Sequence, residues 1–243
     1  SAATHAGGQR PSAAELAKTM PGPFPGRVIE ITHGGSVVEG EILAEPVREM
    51  VRRGIKELFD ADDATDAWRR LFEKGDRVGI KVNPIGAPHV ISQHATVHAI
   101  VDGLKSAGVR PADILIFDRN RQPFLRAGYV QNLPDGCHWE CTVEKYDNVQ
   151  LNIDGYDPDV FAEMELIDPR HHDPKDDRYR RSHLAMIVSR KVDKIINVPV
   201  PKDHRAAGVT QQEGEKGEFA GLQLNGLARA SYLTGDEIEG DIA

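Results

Sequence analysis

Residues 196–210 read INVPVPKDHRAAGVT, and this stretch decides the fold. An apolar, β-branched run (Ile195, Ile196, Val198, Val200) stops at Pro201-Lys202-Asp203-His204-Arg205 and passes into Gly208-Val209-Thr210. Val and Ile runs without polar alternation predict strands buried on both faces, as in a parallel sheet. Residues just past the carboxyl end of such a strand lie where open α/β sheets bind their ligands. Two further segments repeat the pattern. RVGIKV (77–82) carries Lys81 and runs into Asn83-Pro84-Ile85-Gly86, and DILIF (113–117) runs into Asp118-Arg119-Asn120. Parallel strands share one carboxyl edge, so three strands ending in charged or amide groups predict one common site.

Working outward, RVIEITH (27–33) reads as a first strand leaving through a Gly34-Gly35 turn. Pro46 opens a helical stretch in which Val47, Met50, Val51, Ile55 and Leu58 recur at helical spacing. Asp63 or Thr65 caps a second helix, DAWRRLFEKG, closed by Gly75. After RVGIKV, Ser92 is the expected cap of the helix QHATVHAIVDGLKSAG, ended by Gly108. DILIF is followed by a short helix, FLRAGY, then a strand from Val143 to Tyr146. HLAMIVSRKVDKIINVPV reads as helix then strand. Strand–helix–strand units with non-alternating strands predict a three-layer, Rossmann-like α/β fold with a mostly parallel sheet.

The 243 residues, 40% apolar, suffice for one large or two modest domains. The expected division is an N-terminal extension (1–26), an α/β domain (27–210) and a Gly- and Glu-rich tail (211–243) that reads as an incomplete second portion. No apolar run approaches the ~20 residues of a membrane span. A net charge of −8 weighs against a nucleic-acid surface, since duplex binding requires a basic face. The opening SAATHAGGQRPSAAE lacks an initiator methionine, as a processed periplasmic or secreted protein would, with the cytoplasm remaining open. Cys137 and Cys141, in GCHWEC, admit three readings: two ordinary thiols, a local disulfide, or half a metal site with His138.

Lys81-Val82-Asn83-Pro84, Ala107-Gly108-Val109, Ile116-Phe117-Asp118-Arg119, Asp193 to Pro199, Pro201-Lys202-Asp203-His204 and Gly208-Val209-Thr210 occur in that order. The order resembles the domain-of-unknown-function family 362, over roughly residues 27–210. The chain departs from it after Thr210, where the family's Leu-Lys-Asn segment and a further α/β portion are missing. The resemblance implies the fold, the site's location and, for many members, twin-arginine export. Some members carry iron–sulfur modules, and without cysteine clusters no such cluster is expected here. No reaction is implied.

Lys202 and His204 lie two apart after a strand, so an extended backbone puts both on one side. A desolvated lysine holds an anion or acts as a base, and histidine is its acid–base counterpart near neutrality. The structural reading pairs Lys202 with an acid and leaves His204 capping a loop. Lys81 interrupts an apolar run, which fits a core only if its amine emerges at the rim. Asn83 suits carboxylate or phosphate binding, and Asp118 reads as metal ligand, base or Asx-turn initiator. Arg119, Arg205 and Thr210 complete the expected ligand-binding set.

A rival site comes from histidine spacing. His94 and His98 share a helix face at i, i+4 and His89 precedes them, a pattern able to hold a divalent metal as well as a solvent-facing helix start. His171-His172 with Asp173, Asp176 and Asp177 reads as a solvated charged loop. No dinucleotide fingerprint, P-loop, serine-hydrolase elbow or Cys-His pattern occurs. The cationic excess at the expected rim favours a small anionic ligand and an enzyme working by Lys/His proton transfer. Lactate racemases with a nickel-pincer cofactor offer a fold-level analogy only, since they also place Lys and His after sheet strands. The competing class is a non-catalytic binding or assembly module of the cell envelope, acting with a protein partner or as a homo-oligomer.

Overall fold

Three largely apolar, β-branched segments form the centre of one parallel sheet: β3 (Val78–Val82), β4 (Ile114–Asn120) and β8 (Lys194–Val198). The computed structural model describes residues 28–144, 154–163 and 180–200, with the backbone alone of 203–204, 208–209 and 221–223. β5 (His138–Val143) adds beyond β4, and β11 (Gly221–Gln223) adds beyond β8, both parallel. The spatial order is therefore β5-β4-β3-β8-β11. By order of appearance in the chain this is 3-2-1-4-5, the succession of doubly wound α/β sheets, whose direction of winding reverses between β3 and β8.

Strand alternation explains the layers. Val78, Ile80, Val82, Ile114, Ile116, Ile196 and Val198 are all at most 1% exposed and share one face. That face joins a single apolar cluster with helices α1 (Ala44–Phe59) and α3 (His94–Ser106), and with Trp68 of the short α2 (Ala64–Arg69). Each such side chain taken from water contributes about 1.5–3 kcal/mol. Gly103 is required inside α3, because a Cβ there would sit 2.2 Å from the Trp68 ring. Phe124, from the helix α4 (Arg121–Arg126), stacks on Trp139 of β5 and on Tyr129.

The opposite face carries Gly79, Phe117 and Thr142. The third layer there is a β6 (Tyr156–Glu163)–β7 (Arg181–Ala185) antiparallel pair and a single π-type turn, Ile187–Lys191. Gly79 leaves room for the Phe117 ring and Val192, with 2.8 Å and 3.3 Å between their carbons and a hypothetical Cβ. Buried Asp157 ties this layer together, accepting two guanidinium bonds from Arg190 (2.7 and 2.6 Å) and the Ser189 hydroxyl (2.7 Å).

Several local expectations need correction. Residues 28–33 form no strand, and Val28 is exposed; no sheet face is buried by RVIEITH. The extended chain instead forms a small hairpin, β1 (Val37–Val38) with β2 (Glu41–Ile42), turning at Glu39 and Gly40, both with positive φ. Asp63 does cap α2, accepting from the Thr65 and Asp66 amides, but that helix stops at Arg69 rather than near Gly75. Ser92 caps nothing: Gln93 holds the N-cap position of α3 without a side-chain bond. Of the strand expected at Val143–Tyr146, Val143 ends β5, Glu144 is in no strand, and 145–146 lie outside the described residues; a strand and one turn replace the helix expected from His183.

Candidate functional site

The carboxyl ends of β3 and β4 bring Lys81 and Asp118 together. Alternation starts them on opposite faces of the sheet, yet Lys81 Nζ lies 2.9 Å from Asp118 Oδ1. The long lysine stem therefore carries its amine around the strand ends, where Nζ also donates to the Val82 carbonyl at 3.2 Å. Asp118 Oδ2 accepts the Asn120 amide at 3.2 Å, so the Asx-type contact and the ion pair coexist. Both side chains are largely sequestered, with 17% of Lys81 and 7% of Asp118 exposed. A pair so poorly hydrated is held by geometry and is costly to break from one side.

Ser92 organises the neighbouring crevice, between β3 and β8. Its hydroxyl accepts the Asn83 amide at 2.7 Å and donates to the Val198 carbonyl. Its own amide donates to the Asn83 carbonyl at 3.0 Å, and its carbonyl accepts the Tyr129 hydroxyl at 2.7 Å. One buried side chain thus closes the ends of the two strands between which the winding reverses. A serine just before a helix reads as a cap, so sequence reasoning missed this role.

The other expected residues fall as follows. Asn83 begins the loop after β3, and its carboxamide oxygen accepts the Ile85 amide at 3.1 Å, closing a local turn. Arg119 is directed away from Asp118: its Nε donates to the Tyr156 hydroxyl at 2.8 Å, on the face of the β6–β7 layer. His204 lies in β9 (Asp203–His204), which pairs antiparallel with β10 (Gly208–Val209) shortly after β8; only its backbone position is described. Lys202, Arg205 and Thr210, with His171, His172 and the acids beside them, lie outside the described residues.

The histidine set is not a metal site in this geometry. No group of three or more metal-ligating side chains occurs among the described residues, so His89, His94 and His98 do not converge. His98 Nε2 is bonded to the Asn132 carbonyl at 3.0 Å, and His89 is exposed. The His94 ring instead meets Tyr129 edge-on, with centroids 5.0 Å apart. Burial holds the His94 imidazole below its ordinary value, opposed by a hydrogen bond with the Ala127 backbone and reinforced by nearby His98. Cys137 and Cys141 are free thiols, and burial pushes them up to about 11 and about 12 respectively. The disulfide reading falls away, and no third metal-ligating side chain joins the pair among the described residues.

No protein-family model, no curated protein and no solved structure matches the chain. No helix among the described residues is long and apolar enough to cross a membrane.

Proposed function

We propose that the protein binds a small carboxylate or phosphate at the carboxyl edge of its sheet, beside the reversal point between β3 and β8. Lys81 is the contacting cation, and Asp118 orients its amine. The Lys81–Asp118 pair is the observation that supports this most: a lysine set into an apolar strand, its amine delivered to the ligand-binding edge. The β9–β10 pair follows β8 at that edge, which favours Lys202, His204 and Arg205 as further donors and His204 as the acid–base group. Asp118 compensates Lys81, so anion affinity comes from the excess cations, and Lys/His proton transfer is the reaction type this set would serve. The order of motifs shared with the domain-of-unknown-function family 362 is in keeping with a site there.

Isothermal titration with phosphate, acetate and lactate tests the reading. Saturable binding that falls at least tenfold in Lys202→Ala or His204→Ala, with melting temperature nearly unchanged, is expected. Unchanged affinity in both variants, or equal binding of a neutral analogue such as lactamide, would overturn it.

A further inference from the structure

A second feature of the same edge points to a different ligand. The loop after β3 and the helix after β4 enclose an open cleft of about 520 Å³, within the size range of small-molecule sites. Its walls are Pro84, Ile85, Ala87 and Pro88 on one side and Pro123 and Arg126 on the other, with Gly86 between. Gly86 has φ +106, and a Cβ there would come 2.7 Å from the Val90 carbonyl oxygen, so no other residue fits this bend without displacing the backbone.

The chemistry of the walls is one-sided. Three of the lining residues are prolines and present no N–H. The Ile85 amide is occupied by Asn83, and the Ala87 amide donates to the Pro84 carbonyl at 3.3 Å. Ile85 in the lining and Val90, which packs beside Gly86, keep 51% and 42% of their surface exposed. Against this background stands one cation. Arg126 has no hydrogen-bond, ion-pair or ring partner among the described residues, whereas Arg48, Arg52, Arg77, Arg110 and Arg190 are all paired with carboxylates. A wall of apolar surface with almost no donors, closed by a single guanidinium fork, selects a ligand with one carboxylate on an apolar body.

We infer that this cleft is a binding site for a small amphiphilic monocarboxylate, such as an arylalkanoate or a short fatty acid, whose carboxylate is taken by Arg126. The apolar body lies along the prolines, and Ile85 extends the contact. The site shares no residue with the Lys81–Asp118 pair, and the two readings stand or fall separately.

The test uses the whole protein, 3-phenylpropionate and its neutral counterpart 3-phenylpropionamide, with two-dimensional amide and methyl NMR. Saturable shifts at Ile85, Gly86, Ala87 and Arg126 are expected with the acid. Affinity should fall about tenfold or more for the amide and for Arg126→Gln, as loss of a charge-assisted pair requires, with partial retention in Arg126→Lys. Arg126 is exposed, so folding should be indifferent to these changes, and superposable spectra away from the cleft verify that. Equal binding of acid and amide, an unaltered Arg126→Gln titration, or no saturable shift up to millimolar concentrations would each overturn the site. Shifts that instead centre on Lys81 and persist in Arg126→Gln would assign the acid to the other pair, and overturn this one.

Discussion

Lys81 Nζ and Asp118 Oδ1 stand 2.9 Å apart at the ends of two neighbouring parallel strands, although the two residues point to opposite faces of the sheet. The amine leaves an apolar strand to reach the rim, where water contact is slight. The carboxylate is the more buried partner, and removing the lysine strands its charge.

Lys81→Met should therefore destabilise the fold by about 3–5 kcal/mol, the usual effect of orphaning a buried charge. Asp118→Asn keeps an oxygen for the Asn120 amide but orphans the ammonium, and should cost a comparable amount. The double variant should lose clearly less than the sum of the singles. Urea unfolding of the four proteins measures the coupling; additive losses would show that the pair is not a unit.

Ser92 carries a second expectation. Ser92→Ala deletes the hydroxyl that serves both the Asn83 amide and the Val198 carbonyl, taking that partner from a half-buried amide and a buried carbonyl. A loss of about 2–4 kcal/mol follows from their desolvation. If the crevice at the reversal point binds the anion, Ser92→Ala should weaken that binding as well, and Ser92→Thr should restore part of it. Amide hydrogen exchange at Asn83 should accelerate in the alanine variant, since its donor has lost its acceptor. Unchanged exchange there would deny Ser92 the linking role.

The three central strands were legible because branched apolar residues dominate them: VGIKV and ILIF are buried at all but one position each, and KIINV buries Ile196 and Val198 with Ile195 half-buried. Lys81 was legible for the same reason in reverse, as the one charge within such a run. Arg119 was misleading. Its neighbour Asp118 ends up at the rim, but period-2 alternation sends Arg119 to the other face, where Tyr156, 37 residues on, waits as partner. Ser92 and Arg126 left weaker signals. The bond from Ser92 to Val198 spans 106 residues, and no local pattern encodes it. Arg126 acquires meaning only from the proline loop that folding brings opposite. β11 was missed because its three residues, Gly221-Leu222-Gln223, show no apolar period and lie in the Gly- and Glu-rich tail.

His94 makes stability depend on pH. Burial holds its folded-state value below that of the unfolded chain, which titrates near ~6.5. Between the two values the unfolded chain binds the proton more strongly, so stability rises with pH. The contribution is full above about pH 6.5 and is lost as pH falls through the depressed folded value. Thermal unfolding of the wild type should show this slope, and His94→Gln should flatten it. A slope retained in His94→Gln would place the titrating group elsewhere.

The two thiols offer a direct reading of the charge at the candidate site. Burial is the main reason both are weakly acidic, at about 11 for Cys137 and about 12 for Cys141. They differ in the second cause. The Asp118 carboxylate raises Cys141 further, whereas Lys105 lowers Cys137. Since the thiolate is the reactive form, a disulfide reagent at pH 8 should react more slowly with the native than with the unfolded protein, by about a hundredfold at Cys137 and about a thousandfold at Cys141. Asp118→Asn removes the negative charge beside Cys141 and should accelerate that thiol, while leaving Cys137 at its native rate. Mass spectrometry of timed labelling separates the two, and Cys137 is the internal control for general loosening. Acceleration of both thiols together would report a loosened fold, and acceleration of neither would mean that the Asp118 side chain does not govern Cys141.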